Sequence, residues 1–179
     1  MDYFEKITQP MEKPELVKLA TAGWASAVMV DICWGRAAGE ILGEGKAHEV
    51  CERAWIKLGE YSCALTMNAL GITKITSFDE LKNLINACYQ GTNYKMKINE
   101  SNENVLSWEI LDCYFPSFGY AFFDVKEGDS TCNEWKHGTY AWLMGIIKKA
   151  GLAGAYEPSI SSGICCGDAT CRVQVKKVA

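Results

Sequence analysis

Apolar positions recur at helical spacing through Leu16, Leu19, Ala20, Trp24, Ala27, Val28 and Ile32, and Pro14 stands where a first-turn proline belongs. A helix is predicted there, loosening at Gly35 and Gly39. A second is predicted from near Lys46 to Gly71, with His48, Cys51, Trp55, Leu58, Ser62 and Leu65 on one face. Ser77 followed by Glu80 makes a capping box for a third helix, carried by Leu81, Leu84, Ile85 and Cys88 and ended by Gly91. The period then drops to two. Tyr94, Met96 and Ile98 alternate with polar residues, Glu100 to Asn104 is polar enough to turn, and Val105 to Cys113 returns as a second strand.

Phe115 to Val125 is aromatic and holds Pro116 and Gly119, which suits a loop with a short strand. A helix is predicted from Thr131 to Ala150, with Trp135, Tyr140, Trp142, Leu143, Ile146 and Ile147 available to pack. Ala155 to Ile164 and Thr170 to Val175 read as strands around a turn at Cys165-Cys166-Gly167-Asp168. The expected fold class is α+β in one domain over residues 1–179: a helical front over residues 14–91, packed on a β-β-α-β-β antiparallel-sheet unit over residues 92–179.

Composition narrows the function classes. A net charge of −4 leaves no excess of Lys and Arg to displace phosphate counterions, which argues against a nucleic-acid partner. The longest apolar stretch, Leu19 to Val30, is closed by Asp31 and falls short of the ~18 residues that cross a bilayer. Met1 to Lys13 has acidic residues and no apolar core, so no signal peptide is read, and a cytoplasmic protein is expected without a membrane partner. Gly43-Glu44-Gly45 lacks the strand and helix context of a dinucleotide loop. The apolar faces of the helical front look broad for one small domain, which points to a homodimer.

Nine cysteines are too few for a disulfide scaffold and odd in number, so in a reducing compartment they stay thiols unless a metal or redox chemistry claims them. Cys166 and Cys171 flank the last turn, and adjacent strands are close enough for two such thiolates to share a tetrahedral zinc. Cys165 competes with Cys166, since neighbouring strand residues face opposite ways. Cys132 opens the Thr131 helix, where the backbone N–H groups favour thiolate, and Glu157 precedes Pro158 at the entry to the penultimate strand. Cys132, Glu157, Cys166 and Cys171 form the candidate metal set, against the plainer reading of packed thiols and a surface carboxylate.

Residues 105–175 resemble the four-vinyl reductase domain and the related L-2-amino-thiazoline-4-carboxylic acid hydrolase family. The resemblance rests on Cys132 opening a helix that holds Gly138 and Gly145, on Glu157, and on Gly167-Asp168 followed by Cys171-Arg172. The front, with Trp24, Gly35, Trp55, Gly59 and Leu70-Gly71-Ile72, is similar to uncharacterised relatives of the hydrolase. For phenol-sensing members the resemblance implies a structural zinc on Cys132, Glu157 and Cys171 beside an aromatic-ligand pocket. The third cysteine of that pattern falls near Gly163, and here Cys165 and Cys166 come two or three residues later. For the hydrolase branch it implies opening of a thiazoline ring, with Cys113 and Cys132 matching; Trp135 stands where that family has an aspartate.

Two functions follow. The first is hydrolysis of a C–N bond in a small cyclic amidine or thiazoline, with Cys132 as nucleophile and Glu157 or His137 as proton carrier. His137 lies roughly 140° around the helix from Cys132, so the pair needs a distorted first turn. His48, on the apolar stripe of the second helix, reads as a core residue that reaches the site only through tertiary packing. The second function is a zinc-stapled module that holds an aromatic small molecule without transforming it. The tryptophans and tyrosines would line its pocket, or simply fill the core.

Overall fold

The computed structural model describes residues 11–90, 94–113 and 130–178; the side chains of residues 130–136 and of part of the first helix lie outside the description. Helix α1 is Lys13–Leu42, α2 Glu44–Ala69, α3 Phe78–Gln90 and α4 Ser130–Lys149, and strands β1 Lys95–Ser101, β2 Val105–Asp112, β3 Tyr156–Ser162 and β4 Cys171–Lys177 form one antiparallel sheet in the order β1-β2-β4-β3. The fold is α+β, as expected, with helices packed on one face of the sheet. The stretch Phe115 to Val125 lies outside the described residues.

Local chemistry accounts for the element boundaries. The Glu15 carboxylate accepts the backbone N–H of Glu12 at 2.9 Å and closes the first turn of α1. Helix α1 continues past Gly35 and Gly39 to Leu42, and Gly43, at φ 80° and ψ 155°, makes the abrupt entry into α2. That backbone conformation is essentially restricted to glycine. At α3 the capping box forms: Ser77 Oγ accepts from the Glu80 N–H at 3.2 Å, and Glu80 Oε2 accepts from Ser77 N at 3.1 Å and Thr76 N at 2.6 Å. Asn102 Oδ1 accepts from the N–H groups of Asn104 and Val105 and so builds the β1–β2 turn.

The pleat divides the sheet into a buried and a wet face. Leu106, Trp108 and Ile110 on β2 stand opposite Val175, Val173 and Cys171 on β4, and Pro158 and Ile160 on β3 continue the same face. Glu109, Arg172, Gln174, Lys176, Glu157 and Ser159 take the other face, where Arg172 Nε meets Glu109 Oε1 at 3.0 Å. The buried face packs with Leu81, Leu84 and Ile85 of α3 and with Leu143, Ile146 and Ile147 of α4 in one hydrophobic cluster.

Helices α2 and α4 touch backbone to backbone. A Cβ at Gly59 would collide with the Trp142 carbonyl, and one at Gly145 with the Ile56 carbonyl. One turn further out, Gly138 leaves room for the Trp55 ring, to which a Cβ would come within 2.9 Å. These are glycines of the resemblance, and their common cause is close approach of helices.

Glu60 ties the same two helices, meeting Lys148 of α4 at 2.8 Å and Lys57 at 2.7 Å. The Lys148 hydrogen bond, then that of Lys57, pulls its carboxyl down to about 2. A carboxylate depressed in the folded state adds stability that is complete above its unfolded value, about 4.3, and is lost as pH falls through the folded one. Glu60→Gln is therefore expected to be less stable than the parent at pH 7, with the gap closing between about pH 5 and pH 2. Urea denaturation across that range measures it.

Candidate functional site

The largest polar question inside the core is posed by three aromatic side chains. Tyr89 of α3 lies edge-on to Trp108 of β2 at 5.4 Å and to Trp142 of α4 at 5.0 Å between ring centroids. Trp142 donates its indole N–H to Ser62 Oγ at 3.1 Å. Trp108 is 0% exposed, and its Nε1 has no hydrogen-bond partner among the described residues. A buried donor left without an acceptor costs about 1–3 kcal/mol, so native structures seldom keep one without reason. Burial, with the thiols of Cys171, Cys113 and Cys88 nearby, pushes the Tyr89 hydroxyl far up, and it stays neutral. The cluster therefore sets one unmatched indole donor, that of Trp108, among buried and uncharged aromatic rings.

The C-terminal cysteines gather at a 3-10 turn, Ile164–Cys166, that packs against α4. Cys165 is buried and Cys166 half-buried, their sulfurs 3.9 Å apart. Cys171 Sγ accepts the Ile164 N–H at 3.2 Å, and Gly167 closes the turn at φ 90°. Glu157 does not join them. It is exposed and pairs with Lys176 on the wet face, whereas Cys171 is on the buried face and five residues earlier along β4, roughly 17 Å away at about 3.4 Å per residue. Cys132 belongs to the first turn of α4, and its side chain lies outside the described residues. The zinc implied by the resemblance therefore does not fit the expected four-residue set, because Glu157 and Cys171 cannot meet at one ion. The strand alternation through Pro158 and Ile160 carries the reason.

Burial pushes the Cys171 thiol up, and it pushes Cys63 up to about 11. The thiolate is the reactive form, and at pH 8 a thiol at that value is only about a thousandth ionised. Timed alkylation read by mass spectrometry is expected to label exposed Cys33 first and to leave Cys63 unlabelled until the protein is denatured.

His137 faces α2. Its ring lies 4.8 Å from that of His48, and its Nε2 is 3.6 Å from Glu52 Oε1. His48 is exposed rather than a core residue. His48 and Glu52 are four apart on α2 and so share a face. Glu52 is not among the residues the sequence singles out; its signal there is the His-x-x-x-Glu spacing, and only the packing of α2 on α4 brings His137 to it.

No family model and no curated protein matches the chain. Among solved structures, the chain is similar to the crystal structure of the phenol-responsive sensory domain of the transcription activator PoxR with phenol, at a TM-score of 0.56 and 12% identity, over 83% of this chain and 73% of that one. The likeness is one of fold. Among the described residues no helix is long and apolar enough to cross a membrane.

Proposed function

We infer that the protein is a small-molecule-binding module of the sensory type, taking an uncharged aromatic compound such as a phenol against Trp108, Tyr89 and Trp142. The observation that carries this reading is the buried Trp108 N–H, which has no acceptor among the described residues and sits in an aromatic surround. A phenolic oxygen would accept that hydrogen bond, and its ring would pack edge-to-face as Tyr89 already does. The fold likeness to a phenol-responsive domain supports the ligand class. Hydrolysis has no comparable observation behind it: Glu157 stands on the wet face, and His137 lies beside His48 and Glu52.

Isothermal titration calorimetry with phenol is the test. Saturable binding at one site per chain is expected; no heat from phenol or from substituted phenols removes the proposal. The homodimer belongs to the same reading. Leu16, Leu19, Val30, Trp34 and Ile41 on α1 are exposed, Trp34 at 72%, and a second copy would cover them. Analytical ultracentrifugation is expected to return twice the chain mass, and a monomer at micromolar concentration contradicts it.

A further inference from the structure

We propose that His48, Glu52 and His137 bind a divalent cation of the zinc class between α2 and α4. One donor atom from each residue lies within 4.8 Å of the others. Two imidazoles and a carboxylate are a recurrent zinc donor set, and imidazole selects against the hard, oxygen-seeking magnesium and calcium. His137 Nε2 is shielded from solvent and has no hydrogen-bond partner among the described residues. Its 3.6 Å separation from Glu52 Oε1 is too long for a hydrogen bond. An ion between these atoms satisfies both.

The frame is suited to the task. Ligands of a tetrahedral zinc with bonds of about 2.05 Å stand roughly 3.4 Å apart, so closure needs a movement of about 1 Å, within reach of side-chain rotation. The backbones do not need to move, because Gly138 against Trp55 and Gly59 against Gly145 already hold α2 and α4 at their closest approach. Tyr140 stacks on the His137 ring at 5.8 Å and holds its plane. Exposed His48 leaves the ion a route from solvent. Three protein ligands leave a fourth position for water or a small anion, which makes this an open site. No cysteine among the described residues joins the group, and the proposal does not depend on the aromatic ligand.

The test titrates zinc sulfate into chelator-treated protein by calorimetry and repeats the titration with His48→Gln and Glu52→Gln. Both variants change residues at a solvent-accessible rim, and circular dichroism confirms that they fold. One zinc per chain is expected, weakened on the order of tenfold or more in each variant. Cobalt(II) in place of zinc is expected to give a visible spectrum without a thiolate-to-metal charge-transfer band. Absence of binding, zinc affinity unchanged in both variants, or a thiolate band overturns the proposal.

Discussion

Gly145→Ala is expected to destabilise the protein by about 3 kcal/mol or more, and Gly59→Ala by a similar amount. The new methyl group at residue 145 would meet the Ile56 carbonyl group, with the Glu60 nitrogen 3.0 Å away; at residue 59 it would meet the Trp142 carbonyl, with the Gly145 Cα 3.0 Å away. These are main-chain atoms inside two long helices. No rotamer change removes the clash, so the helices must part along their shared length and loosen Trp142, Leu143 and Ile146 above the sheet. For a chain of this size, 3 kcal/mol corresponds to a fall in Tm of about 6–12 °C. Gly23→Ala is the internal control. Nothing lies within 4 Å of its added methyl group, so the change in helix propensity should leave stability equal or raised by up to about 1 kcal/mol. Thermal unfolding followed by circular dichroism compares the three. Equal Tm values for Gly145→Ala and the parent would disprove the backbone contact.

Trp108→Phe is expected to separate binding from stability. The substitution trims a fully buried ring, which costs about 1–3 kcal/mol, and removes a donor whose lack of an acceptor costs a comparable amount. The two effects oppose each other, so the ligand-free variant should lie within about 1.5 kcal/mol of the parent in urea denaturation. Phenol affinity should nevertheless fall at least tenfold, since the hydrogen bond that orients the oxygen is gone. A variant that binds phenol as tightly as the parent would show that Trp108 is core packing and nothing more.

The elements that the chain announces most clearly are those whose signals are local. The Ser77–Glu80 box needs only its own turn, and the period-two stretch around Met96 and Ile98 needs only its neighbour strand. Gly35 misled for a tertiary reason. It reads as a loosening of α1, yet its bare Cα faces Cys51 of α2, where a Cβ would come within 3.1 Å of the sulfur. The same physics explains Gly59, Gly138 and Gly145, which look like weak helix positions and act as contact points.

The candidate sites divide along the same line. Cys165, Cys166 and Cys171 are close in sequence, and their gathering at one turn was within reach of spacing arguments. Glu157 joins them in the sequence reading as a carboxylate at the entry to the penultimate strand, although the alternation Glu157-Pro158-Ser159-Ile160 already sets it on the face opposite Pro158. The meeting of His137 with His48 and Glu52 depends on which faces of α2 and α4 oppose each other. Only the glycine contacts decide that.

The most direct measurement is the indole N–H resonance of Trp108 in protein labelled with 15N-tryptophan, assigned by its loss in Trp108→Phe, during titration with phenol. A saturable downfield shift of that proton, with the Trp142 resonance held by Ser62 moving less, is the expected result. A Trp108 resonance that stays in place while phenol binds, or while phenol fails to bind at millimolar concentration, would contradict an aromatic-ligand site in this core.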